Sequence, residues 1–181
     1  LANFVIINKI ETAKIENIDI VKSNVKKINP NAGIILAASP ITVEDENKIK
    51  GKKVLVVEDG PTLTHGGMSY GAGIFAAKNF GAKEIVDPKP FAVGSILATY
   101  KKYPTTGMLL PAMGYGDEQL KDLEETISKI ECDTVVIGTP IDLRRVIKIK
   151  QDSVRVTYEL DEKGEPSIKT ILKEFIQKHK K

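Results

Sequence analysis

Apolar runs alternate along the chain with amphipathic stretches. Residues 4–7 (FVII), 34–37 (IILA), 54–57 (VLVV), 84–86 (EIV), 108–110 (MLL) and 134–137 (TVVI) are short and carry little polar alternation. Runs of this kind predict strands covered on both faces, as in a parallel sheet. Between them the period changes. Ile18, Val21, Val25 and Ile28 recur at helical spacing, and Asn29 with Pro30 closes that helix. A short helix is predicted over 72–80, closed by Gly81, and another over 94–103. Asp117 opens a helix whose apolar face is Leu120, Leu123, Ile127 and Ile130. Residues 154–160 alternate strictly, which predicts a half-exposed edge strand. Ser167 caps a last helix with Ile168, Ile171, Leu172, Phe175 and Ile176 on one face.

Strands that alternate with short helices build βαβ units. The expected fold is α/β: a mostly parallel, Rossmann-like sheet with helices on both faces. The polar, lysine-rich stretch 45–51 is the expected domain boundary. It separates residues 1–50, read as the C-terminal end of a P-loop-type nucleotide-binding domain, from a Rossmann-like domain over 51–181.

Composition narrows the classes. A chain of 181 residues can bury a sizeable core without a disulfide or metal staple. The single cysteine, Cys132, has no partner for an intramolecular disulfide, which fits a reducing cytoplasmic compartment. No apolar run approaches the roughly 20 residues needed to span a bilayer, and no signal peptide opens the sequence. A net charge of +3 with scattered lysines gives no expectation of nucleic-acid or membrane binding. Of 27 basic residues only Arg144, Arg145 and Arg155 are arginines, and two of them are adjacent.

In parallel α/β sheets ligands bind beyond the carboxyl ends of the strands, and the chain places its unusual residues there. The segment after Val57 offers Asp59, Thr62, Thr64, His65, Gly66 and Gly67. Lys89 follows the strand at 84–86, Gly114 and Gly116 follow the one at 108–110, and Thr139, Asp142, Arg144 and Arg145 follow the one at 134–137. Glycines allow backbone N–H groups to approach a ligand closely, helix starts favour anions, and arginine binds phosphate through two parallel hydrogen bonds where lysine cannot. The set predicts a phosphate or polyanion site.

The strand at 4–7 runs into Asn8, Lys9, Ile10 and Glu11, and the strand at 34–37 into Ala38 and Ser39. Asn-Lys-x-acid after a buried strand resembles the base-reading element of P-loop GTPases, with Glu in place of Asp, and Ser39 lies where their second base-contacting loop would be. Asn8, Lys9, Glu11 and Ser39 are therefore candidate nucleotide-base contacts. No Gly-x4-Gly-Lys-Ser/Thr phosphate loop occurs in the 181 residues, which leads to the expectation that an N-terminal part of the natural protein is absent.

With these loops in view, the chain resembles the C-terminal part of the cyclic 2,3-diphosphoglycerate synthetase family and related P-loop GTPases. The resemblance rests on VIINKIETA (5–13), VVEDGPTLTHG (56–66), LPAMGYG (110–116) and GTPIDLRRV (138–146). It implies ATP- or GTP-dependent, Mg²⁺-assisted chemistry on a phosphorylated small molecule such as 2,3-diphosphoglycerate. On that reading Arg144, Arg145 and Lys89 neutralise phosphates. His65 or Asp59 transfers or orients a proton, or Asp59 holds Mg²⁺. Apart from the resemblance, a cytoplasmic homo-oligomer is expected, in the simplest case a dimer, because the strands of residues 1–50 leave sheet edges that a second copy would cover. Two other classes stay open: a GTPase-like regulator whose loops contact a protein, and a non-catalytic module that binds a nucleotide or anion.

Overall fold

The computed structural model describes residues 2–66 and 69–180. The chain forms two compact units, one from 1–40 together with 158–181 and one from 41–157.

The larger unit carries the Rossmann-like α/β sheet. Its strands are β3 (Ile41–Val43), β4 (Lys53–Asp59), β5 (Glu84–Ile85), β6 (Leu110–Ala112), β7 (Thr134–Gly138) and β8 (Asp152–Tyr158). The order is β3-β8-β7-β4-β5, with β6 pairing with the end of β4. All pairings of β4 with β5, β6 and β7, and of β7 with β8, are parallel. The all-apolar run of β4 has a plain cause: Leu55 and Val57 enter one core with Ile96, Leu123 and Ile127, whereas Val54 and Val56 enter another with Ile74 and Leu109. All four β4 residues are fully buried. Helices α3 (Ala72–Asn79), α4 (Gly94–Lys102) and α5 (Asp117–Ser128) supply those partners except Leu109, which immediately precedes β6, so both faces of the sheet are covered.

Two expectations change here. Residues 154–160 alternate like an edge strand, yet β8 lies inside the sheet, between β7 and the short β3. The segment 60–66, expected as a loop, forms helix α2 (Gly60–Gly66). Asp59 starts it by accepting the Thr62 N–H at 3.2 Å, and Pro61 is tolerated because first-turn N–H groups have no intrahelical partner.

The smaller unit is a three-stranded sheet in the order β1-β2-β9, from β1 (Phe4–Ile7), β2 (Gly33–Ala38) and β9 (Asp161–Lys163), with helices α1 (Ile15–Ile28) and α6 (Ile168–His179). β1 and β2 are parallel, and β9 runs antiparallel to β2. Neither helix has a buried residue. The Ser167 cap forms as expected, its hydroxyl accepting the Thr170 N–H at 3.1 Å.

Candidate functional site

Register sets the site in the larger unit. Val57 pairs with both Leu110 and Ile137, and Glu58 with both Pro111 and Gly138. The loops after β4, β6 and β7 therefore leave the sheet at one level and on one edge.

Glu58 sits at that level and is 2 % exposed. Its Oε1 accepts the N–H groups of Gly71 (3.1 Å) and Ile74 (2.9 Å), at the start of α3. A Cβ on Gly138 would lie 2.7 Å from Oε2 and 3.0 Å from the Gly73 nitrogen, and one on Gly71 would lie 2.6 Å from Oε2. Glycine is thus required around this carboxylate by space rather than by backbone angle. Burial pushes the Glu58 carboxyl up to about 7, against the lowering by the Ile74, Gly71 and Gly73 N–H groups, and Asp59 adds to the rise. The Gly71 and Ile74 N–H groups at the opening of α3 are thus already satisfied by a side chain of the protein itself.

Asp59 is half-buried and accepts both the N–H and the hydroxyl of Thr62. Tyr115, on the loop after β6, has a buried hydroxyl with no hydrogen-bond partner among the described residues. Desolvation, helped by the Asp59 charge, raises its phenol above the ordinary value. Gly114 and Gly116 hold the same loop at the start of α5, where the Gln119 side chain packs against both. Thr64 lies in α2. Gly67 lies outside the described residues, as do the side chains of His65 and Gly66.

After β5, the Lys89 N–H donates to Asp87 at 3.1 Å, and its amine stands 6.0 Å over the Tyr100 ring. After β7, Thr139 is buried and donates to the Ile141 carbonyl at 2.6 Å, closing the turn. The two adjacent arginines have different surroundings. Arg144 binds both oxygens of Glu44 (2.9 and 2.8 Å) and both of Asp142 (2.8 Å each). This doubly paired guanidinium holds the Asp142 and Glu44 carboxyls below their usual range. The bridge to Glu44 ties the residue after β3 to the turn after β7. Arg145 is exposed, and its backbone N–H donates to Asp142.

In the smaller unit, three of the four candidate base contacts meet. Asn8 Oδ1 accepts the Ser39 hydroxyl at 3.1 Å and the Lys9 N–H at 2.8 Å, and Glu11 Oε1 accepts the Ser39 N–H at 2.9 Å. Lys9 adopts a left-handed backbone, φ 61°, which turns the chain sharply after β1. Its amine makes no hydrogen bond to the other three.

Among the described residues no group of three or more His, Cys, Asp or Glu side chains is arranged to hold a metal ion. Nor is any helix long and apolar enough to cross a membrane. Glu58 and Tyr115 lie within the motifs at 56–66 and 110–116, but sequence reasoning gave neither a role of its own. A signal for Glu58 was present, since it is a carboxylate that directly continues the apolar run 54–57. Nothing in the sequence marked the Tyr115 hydroxyl as unpartnered.

No family model matches the chain. Over 174 residues, 96 % of its length, it is 59 % identical to a protein of Thermococcus kodakarensis named arginine synthetase ArcE. The aligned part is 39 % of that relative, so the chain spans about two-fifths of the length of the curated protein it resembles.

Proposed function

We propose that the chain is the C-terminal part of an ATP-dependent ligase that acts on a guanidinium-bearing amino acid. The observation that carries this reading is the 59 % identity to an arginine synthetase along almost the whole chain. A synthetase couples bond formation to a nucleoside triphosphate, which supplies the activation when bound. In this chain Asn8, Glu11 and Ser39 would hold the base: among the described residues, the amide nitrogen of Asn8 and the second oxygen of Glu11 make no hydrogen bond. The triphosphate and its Mg²⁺ need groups from elsewhere in the longer protein, because the phosphate loop does not occur in these residues.

The edge of the larger sheet supports a cationic substrate. Glu58, Asp59 and the Tyr115 hydroxyl lie at or beside the ends of β4 and β6, whereas Arg144 is already engaged by two carboxylates. Asp59 would accept the guanidinium, and Glu58 would hold the start of α3 while the substrate binds. Cyclic 2,3-diphosphoglycerate synthesis is the alternative reading and rests on the motif resemblance. It needs cations at this edge, and Arg145 and Lys89 would be its candidates. A GTPase-like regulator is the third reading, favoured by the joined Asn8, Glu11 and Ser39 cluster.

Thermal shift of the full-length protein with Mg²⁺ separates them. The ligase reading expects stabilisation by ATP and by arginine, and loss of the arginine effect in Asp59→Asn. That loss should be on the order of 1.5–3 kcal/mol in binding, the range for a charged hydrogen bond. Stabilisation by 2,3-diphosphoglycerate but not arginine would return the substrate to a phosphorylated acid. Preference for GTP with no response to either small molecule would favour the regulator.

A further inference from the structure

Two edges bound the three-stranded sheet, and they differ in kind. One is β9, three residues long, charged throughout (Asp161, Glu162, Lys163) and antiparallel to its neighbour. Short, charged edge strands are how proteins protect an open edge. The other is β1, whose four residues are all apolar and include neither a charge nor a proline. Among the described residues it pairs with β2 alone.

β1 is also uncovered on one face. Val5 and Ile7 point to the face where Ile7 is buried, whereas Phe4 and Ile6 are each 43 % exposed. The Phe4 ring lies against Gly33 of β2, where a Cβ would meet it at 2.4 Å. Parallel strands ordinarily have neighbours on both sides and cover on both faces. The apolar stripe of α1 is no better satisfied: it has no buried residue, and Val21 and Ile28 are exposed. The carbonyl of Asn3 accepts from Gly33 of β2. Backbone groups alternate sides along a strand, so the N–H and C=O groups of Phe4 and Ile6 face the open edge.

We propose that this edge pairs with a further parallel strand, supplied by polypeptide of the same protein beyond the 181 residues. Two observations and a symmetry argument favour that occupant. The matched relative has three-fifths of its length outside the aligned region. The β1–β2 pair is parallel, and a parallel neighbour extends it with the same register of main-chain groups. A second copy pairing through β1 about a two-fold axis would instead run antiparallel. The pairing is independent of which substrate the ligase takes, so failure of either leaves the other intact.

Amide exchange of Phe4 and Ile6 tests it, compared between the 181-residue chain and the product of the complete reading frame. The expected result is rapid exchange in the monomeric chain and at least about 100-fold slower exchange in the complete protein, where those N–H groups enter a sheet ladder. Ile6→Lys should barely alter the melting temperature of the 181-residue chain but lower that of the complete protein. Four results would overturn the proposal: slow exchange in a proven monomer of the chain, protection that rises with the concentration of the chain and so marks a second copy, equal exchange in both forms, or a reading frame with no further polypeptide.

Discussion

Glu58 and Arg144 show how a side chain's partners decide its role. Glu58 is buried with its carboxyl raised to about 7. The folded state therefore holds this proton more tightly than the unfolded chain, whose value is about 4.3. Its contribution to stability is complete below that lower value and is lost as pH rises to about 7, a difference on the order of 3 kcal/mol. Urea unfolding of the chain and of Glu58→Gln between pH 4.5 and 8 should show that slope in the first and not in the second. An equal slope in both would assign the proton elsewhere. Gly138→Ala should cost about 1–3 kcal/mol, the range for overpacking, since its Cβ would meet both Glu58 and the Gly73 nitrogen. Arg144 and Arg145 should separate in the same assay. Arg144→Ala breaks a two-carboxylate clamp that is partly exposed, so its loss should be about 1 kcal/mol, at the upper end for surface ion pairs. Arg145→Ala should stay within about 0.5 kcal/mol. Equal losses from both would mean that the clamp contributes nothing to folding.

Elements with a two-sided core and elements without one should behave differently. β4 and β7 lie between two apolar layers, and their amides should exchange most slowly. Helix α6 buries no residue, and Leu172, Phe175 and Ile176 are each more than half exposed. Its local stability then depends on its cap and on propensity. Ser167→Ala should cost about 1 kcal/mol, and the loss should be confined to the exchange of residues 168–179. A fall in the melting of β4 and β7 from the same change would show that α6 is part of the main core.

For the whole molecule, the missing phosphate loop predicts that the 181-residue chain alone does not hydrolyse ATP or GTP. Turnover that disappears on Asn8→Ala would contradict this. The sequence by itself determined the class of fold, because hydrophobic period is local: the short, valine-rich run 54–57 fits a strand covered on both sides, and Leu120, Leu123 and Ile127 recur at the spacing of one helical face. It also pointed to the edge that carries the polar loops, since parallel strands share a direction, and it grouped Asn8, Lys9, Glu11 and Ser39 as candidates for one role; that Asn8 and Glu11 bond to Ser39 is a tertiary fact. Tertiary structure alone decided the rest. That β8 lies inside the sheet depended on three residues of β3, too few to show a period. Residues 158–181 group with the first 40 because β9 pairs with β2 across more than a hundred residues of sequence. Whether Arg144 is free or held depended on Glu44, a hundred positions away. Burial of Glu58 depended on three glycines that come together only when α3 and β7 are in place. Local pattern encodes which way a side chain faces, but partner identity is a property of distances the linear chain does not contain.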